Sequence, residues 1–309
     1  MTERARHLVL VGPTASGKSA LALEVARRLG GVELVSADSM QVYRGMDVGT
    51  AKATPAERAE IPHHLLDVAA PQEDFSVARF QELAAAAIAG IEERGRRALV
   101  VGGTGLYVQA VVDGLALPGQ WPEVRHELEG RPVQELHRRL AEADPLAASR
   151  IEPGNARRLV RALEVTIGSG RPFSSFGPGL GTYRPSSRFR LAGVWLPRPV
   201  LGARIEARYR TQLGEGFLDE ARRLAAGGMS RTARQALGYR ELLDHLAGRC
   251  PLDEAVDAAV RRTRAFARRQ RAWFRRDPRI TWLATGRNPV DLLPALLGDW
   301  SLPMIPPAS

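Results

Sequence analysis

At 309 residues, 44% of them apolar and 25% charged, the chain has room for one full α/β domain with a smaller companion, in the balance of an ordinary globular protein. It holds no apolar run of the roughly eighteen residues a membrane span needs and no apolar leader after Met1, and its lone Cys250 excludes an internal disulfide, so a reducing cytoplasm is expected. The formal net charge of +10 favours polyanionic partners; all but Lys18 and Lys52 of the 44 basic residues are arginine, densest near the C-terminal end.

In chain order, residues 7–11 form an apolar run too short for a helix and suited to a buried parallel strand. They flow into Gly12-Pro13-Thr14-Ala15-Ser16-Gly17-Lys18-Ser19. A helix follows with Ala22, Val25, Ala26 and Leu29 on one face, closed by Gly30-Gly31. Residues 32–35 read as a second strand, with Ser36, Ala37 and Asp38 at its carboxyl end. Residues 79–94 give a helix with Phe80, Leu83, Ala84, Ala87, Ile88 and Ile91 on one side. Residues 98–101 form a third strand running into Gly102-Gly103-Thr104-Gly105. This alternation is the pattern of a parallel sheet covered on both faces.

From about residue 117 the texture changes. Residues 119–171 are polar, helical and rich in arginine, with Leu136, Leu140 and Ile151 offering only a small core. Residues 172–187 are loaded with Gly, Pro and Ser and read as a loop. A strand resumes at 189–196, followed by helices at 201–226 and 233–247, a long basic helix at 252–276 and a last strand at 280–283. The expected fold is α/β: a P-loop NTPase-like parallel sheet flanked by helices, built from residues 1–116 and 188–309, with a smaller all-helical insertion domain at 117–187.

The segment Gly12 to Ser19 fits G-x-x-x-x-G-K-S between a strand and a helix. In such a loop backbone N–H groups converge on phosphate oxygens, Lys18 neutralises phosphate charge, and the Ser19 hydroxyl helps hold Mg²⁺. An ordinary P-loop ATPase would carry Asp at the end of an apolar strand, whereas residues 98–101 end in Gly-Gly-Thr. Thr104 can offer a hydroxyl to a phosphate or to a Mg²⁺-bound water but cannot take a proton from a nucleophile. Asp38 can, from the sheet edge where ligands of open α/β sheets bind. Asp at that position equally caps a turn. A small-molecule or nucleotide kinase using ATP shares these features, and both readings stay open on the residues alone.

Besides the phosphate loop, the chain carries in series Ser36-Ala37-Asp38-Ser39-Met40-Gln41-Val42-Tyr43, Met46-Asp47-Val48-Gly49-Thr50-Ala51-Lys52 and Pro62-His63-His64-Leu65-Leu66-Asp67. The series continues through Val101-Gly102-Gly103-Thr104-Gly105-Leu106-Tyr107, Arg158-Leu159-Val160-Arg161-Ala162-Leu163-Glu164 and Ala236-Leu237-Gly238-Tyr239-Arg240, over nearly the whole chain. Together these motifs resemble those of the bacterial tRNA dimethylallyltransferases, also called tRNA isopentenyltransferases, of the IPP transferase family. The resemblance implies transfer of a dimethylallyl group from dimethylallyl diphosphate to N6 of the adenosine 3′ of the anticodon (position 37), with diphosphate released. It implies that Asp38 is the general base, that Thr104 and Arg208 attend the diphosphate, and that Mg²⁺ is the cofactor. A monomer working on the anticodon stem-loop of tRNA, away from any membrane, is expected.

Residues 261–276 are the richest basic segment. At helical spacing Arg261, Arg264, Arg268, Arg271 and Arg275 share one side, suited to RNA phosphates, while Phe266, Gln270 and Trp273 share another. The resemblance extends the RNA contacts to Asp38, Ser39, Met40, Gln41 and Thr104, to Arg125, and to Arg157, Arg158, Leu159, Val160 and Arg161. It adds Arg234, Gln235, Ala236, Leu237, Gly238 and Tyr239, and then Arg268, Arg269, Gln270, Arg271, Ala272, Trp273, Phe274 and Arg275. A stacked adenine cannot reach a phosphate loop at a sheet edge, so the target base is expected to flip out into a channel.

Overall fold

The structure, a computed structural model, describes residues 7–177, 179–186 and 188–301. Residues 1–6, read above as free of an apolar leader, lie outside these, as do Pro178, Ser187 and residues 302–309. Residues 114–183 form one compact unit and the remaining described residues another. The break follows a helix that ends at Asp113, where Gly114 turns at φ 58°.

The larger unit is built on six strands: β1 (His7–Val11), β2 (Val32–Ala37), β3 (His63–His64), β4 (Arg97–Gly102), β5 (Phe189–Trp195) and β6 (Ile280–Ala284). Their spatial order is β3-β2-β4-β1-β5-β6, and every pairing is parallel. A parallel sheet needs cover on both faces, and the strand period of two supplies it. Val9, Val11, Val35 and Val100 face a core with Phe80, Ile88 and Ile91 of the helix Val77–Glu93. Leu8, Leu10, Leu34 and Leu99 face Leu21 and Val25 of the helix Lys18–Leu29, with Leu296 and Trp300 of the helix Leu293–Ser301 beyond. Each of these leucines, buried, contributes about 1.5–3 kcal/mol against exposure.

Register decides where the chemistry sits. Gly102 of β4 lies level with Val11 of β1 and with Ala37 of β2. The chain therefore leaves three adjacent strands at one height, presenting Gly12, Asp38 and Gly103-Thr104 side by side. Gly102 permits this closeness, since a Cβ there would stand 2.3 Å from the Ala37 carbonyl oxygen.

Two expected helices are each broken. The stretch 201–226 is Arg198–Gly214 followed by Phe217–Ala226, and 233–247 is Arg231–Arg234 followed by Tyr239–Leu246. Gly216 (φ 92°) and Gly238 (φ 85°) are left-handed, a conformation that ends an α-helix even where apolar spacing runs on. The two-residue β3 and the helices Pro55–Glu60, Gly105–Asp113 and Leu293–Ser301 were not expected.

In the smaller unit the helices Pro122–Leu128, Val133–Ala143, Pro145–Arg150 and Ala156–Ser169 enclose a core of Leu128, Leu136, Leu140, Ile151, Leu159 and Leu163. Among the described residues no helix is long and apolar enough to cross a membrane.

Candidate active site

The phosphate loop turns through two left-handed residues, Ala15 (φ 61°) and Gly17 (φ 78°). Ala15 bears a Cβ, so this costs on the order of 1–2 kcal/mol, and the Arg204 Nε–H donates to its carbonyl at 2.9 Å to hold it. Gly17 is obligatory on a second count: a Cβ would stand 2.6 Å from Cγ of Pro289. The helix starts at Lys18, so the N–H groups of its first turn point out of the N-terminus without intrahelical partners, a ready anion site.

A cleft of about 490 Å³ opens over this loop. Thr14, Ala15, Gly17, Lys18 and Ser19 form its floor. Asp38, Ser39, Met40 and Gln41 come from the end of β2, Thr104 from the end of β4, and Arg204 and Arg208 from the helix Arg198–Gly214. Gly12 and Pro13 do not line the cleft, and the buried Ser16 hydroxyl has no protein partner. Among the described residues no cluster of three or more acidic, histidine or cysteine side chains is placed to hold a metal.

Burial pushes the Lys18 ammonium down to about 8; Asp38 opposes this and Arg208 adds to it. Lys18 also donates to the Pro13 carbonyl at 3.4 Å. Arg208 donates to the Thr14 hydroxyl and to the Gly49 carbonyl, both at 3.1 Å, which aims its guanidinium across the cleft floor. Burial lowers its pKa as well, so both cations would gain from a bound polyanion. The Asp38 carboxylate caps its own turn, accepting from the Met40 N–H at 2.9 Å and the Gln41 N–H at 3.4 Å, and still lines the cleft. Turn cap and proton acceptor are thus compatible. The Thr104 hydroxyl oxygen accepts from the Ser39 N–H at 3.2 Å, joining the β2 and β4 edges.

Residues not singled out in the sequence frame this site. The buried Glu220 carboxylate accepts three backbone N–H groups, from Asp47 (2.9 Å), Val48 (2.8 Å) and Gly49 (3.0 Å). It thereby fixes the loop whose Gly49 carbonyl holds Arg208. Arg204 had a signal: it precedes Arg208 by one helical turn, on the same face. Glu220 had none, since its partners lie some 170 residues away.

The structure redirects several expected RNA contacts. Arg271 lies buried, donating to the Leu196 carbonyl at 3.1 Å and stacking 3.5 Å over the Trp195 ring, so it belongs to the packing of β5. Phe274, Leu159 and Val160 are core side chains, because each falls on the inward stripe of its helix. Gly238 is buried; Ala236 and Tyr239, though largely buried, line the cleft, and the Tyr239 hydroxyl donates to Glu220 at 2.6 Å. Gln270 is turned inward, accepting from the Thr14 N–H and donating to the Gly103 carbonyl. In the smaller unit Arg125 donates to the buried Glu164 at 2.8 Å and Arg161 pairs with it at 3.1 Å. Burial would raise the Glu164 carboxyl; the Trp121 N–H and the two arginines overcome this and hold it below its usual range.

Other expected contacts keep exposed or partly exposed side chains: Arg157, Arg158, Arg234, Gln235, Leu237, Arg268, Arg269, Ala272, Trp273 and Arg275. Along the basic helix, Arg262, Phe266 and Arg269 face the cleft, one turn apart. Arg264 is bound to Glu206.

The family model described as IPP transferase matches residues 41–277. A tRNA dimethylallyltransferase of Geobacter metallireducens is 48% identical over 288 residues, covering 91% of this chain and 93% of that one. One from Streptomyces coelicolor is 50% identical, covering 91% of each. The chain belongs to the IPP transferase family. Among solved structures, the tRNA isopentenylpyrophosphate transferase of Bacillus halodurans matches with a TM-score of 0.70 and 40% identity, over 96% of this chain and 97% of that one. A eukaryotic dimethylallyltransferase acting on tRNA matches with a TM-score of 0.78 and 25% identity, over 96% of this chain and 79% of that one. For an IPP transferase family member, the cleft above the phosphate loop is the candidate active site.

Proposed function

We propose that this chain transfers a dimethylallyl group from dimethylallyl diphosphate to N6 of adenosine 37 of tRNA, releasing diphosphate. The observation that carries the reading is the level exit of β1, β4 and β2, which sets the phosphate loop, Thr104 and Asp38 around one cleft that Arg208 overhangs. Membership of the family supports it. We take the working unit to be a monomer.

An exocyclic adenine amine is a weak nucleophile, so cleavage of the allylic carbon–oxygen bond runs ahead of attack. The chain's main work is to stabilise departing diphosphate, through Lys18, Arg208 and the N–H groups of the first helical turn. Asp38 takes the N6 proton as the new carbon–nitrogen bond forms. Thr104, tied to Ser39, sets the distance between cradle and base. The Ser19 and Thr104 hydroxyls both line the cleft and would hold Mg²⁺, Ser19 directly and Thr104 through a bound water. When bound the ion would offset charge on the leaving diphosphate. The exposed Arg268, Arg269 and Arg275 hold RNA phosphates, as do Arg157 and Arg158 of the smaller unit.

The test is direct. Purified protein incubated with Mg²⁺, unmodified tRNA and dimethylallyl diphosphate is expected to yield N6-prenylated tRNA and diphosphate. Phosphoryl transfer from ATP with no prenylation would overturn the reading in favour of a kinase.

A further inference from the structure

We propose that Gln270 is a positioning residue for the diphosphate cradle, and that it acts by tying the phosphate loop to the carboxyl end of β4. The inference rests on the proposed function and replaces an RNA-contact role for this side chain.

Gln270 lies in the long basic helix Leu252–Phe274 and is 6% exposed. Both ends of its amide are in use. Oε1 accepts from the Thr14 N–H at 2.8 Å, and Nε2 donates to the Gly103 carbonyl at 2.8 Å. One side chain thus bridges the loops that follow β1 and β4, and does so from a third element.

Three observations favour a role beyond packing. First, Thr14 is held twice, its N–H by Gln270 and its hydroxyl by Arg208 at 3.1 Å, so the loop's leading edge cannot drift without breaking the hydrogen bond that aims Arg208. Second, the sequence makes way for the amide. A Cβ on Gly103 would stand 2.3 Å from Nε2, and one on Gly105 would stand 2.3 Å from the indole of Trp273, one helical turn beyond. Third, the chemistry selects glutamine: an amide accepts from one backbone group while donating to another. Glutamate in the same place would keep the Thr14 bond and set a carboxylate oxygen against the Gly103 carbonyl. Since a cradle works only where its donors converge to within a fraction of an ångström, loosening this bridge weakens anion binding before it weakens anything else.

The experiment uses inorganic pyrophosphate and unmodified tRNA as separate probes on the full chain, with Gln270→Glu compared to wild type by calorimetry and filter binding. Pyrophosphate affinity is expected to fall about tenfold or more, with tRNA affinity and its salt dependence unchanged within about twofold. In turnover the same variant is expected to raise KM for the prenyl diphosphate more than it lowers kcat. Wild type that binds no pyrophosphate would sink the functional reading itself. Wild type that binds it, beside a variant that binds it equally well, would sink only the role of Gln270. A variant with weakened tRNA affinity and a flatter salt slope would return Gln270 to the RNA interface. Gln270→Met, similar in volume with neither hydrogen bond and no added charge, is measured beside it to separate loss of the bridge from repulsion by the new carboxylate. The same fall in pyrophosphate affinity is expected, and wild-type affinity in the Met variant would sink the role of Gln270. The Met variant alone decides should Gln270→Glu fail to fold.

Discussion

The Tyr239 hydroxyl donates a 2.6 Å hydrogen bond to the Glu220 carboxylate, and both groups are buried. Burial pushes the Tyr239 phenol well above its ordinary range, and the Glu220 charge pushes the same way, so the hydroxyl keeps its proton and donates it to Glu220. The pair anchors the 47–49 loop and, through Gly49, the guanidinium of Arg208. Tyr239→Phe should therefore lower unfolding free energy by about 1–3 kcal/mol and leave tRNA affinity within about twofold. Denaturant titration beside RNA binding checks this, and weaker RNA binding at unchanged stability would return Tyr239 to the interface.

Asp38→Asn preserves the turn, because an amide oxygen can still accept from the Met40 N–H, and removes only the proton acceptor. Turnover should fall by about 10²–10⁴-fold with tRNA affinity retained. Single-turnover kinetics with saturating RNA separates the two. A rate within a few-fold of wild type would leave Asp38 as a turn cap alone.

The Lys18 ammonium titrates near pH 8 in the free cleft. The protonated form binds a polyanion, so KM for the prenyl diphosphate should stay flat below about pH 8 and climb above it, as the charge is lost. Asp38 supports the charged form, so in Asp38→Asn the break should move to lower pH. A KM that stays level to about pH 10, near the ordinary lysine value, would contradict the assignment.

Arg268 and Arg275 are exposed on the basic helix, whereas Arg271 is buried against Trp195. Replacing Arg268 and Arg275 together by Ala should flatten the salt dependence of RNA binding, by roughly 0.7–0.9 for each phosphate no longer neutralised. Arg271→Ala should leave that slope alone and lower the unfolding midpoint. Equal slopes in wild type and the double variant would move the RNA to another face.

Local pattern made the frame legible. The unbroken apolar run of β1, the glycine-lysine-serine signature and the alternation of strand with helix all lie within short windows. The breaks at Gly216 and Gly238 were hidden because apolar spacing continues across both, and a left-handed turn leaves no periodic trace. The side of the basic helix was misread for a similar reason: charge alone does not say that Arg271 caps a strand through the Leu196 carbonyl. Glu220, Gln270 and Arg204 act through backbone groups between 167 and 256 positions distant, and no short window of sequence contains both partners.

The chain's two lysines have opposite fates. Lys52 is sealed in, donating to the Tyr43 carbonyl at 2.7 Å and paired with Asp47 and Asp67 at 2.6 Å each. Lys18 lines the cleft, where burial holds its ammonium below the ordinary lysine range. An acylating reagent therefore meets a single reactive lysine side chain among the described residues, at the heart of the anion cradle. Labelling read at Lys18 itself, apart from the α-amine, becomes a gauge of how much of the cleft is occupied.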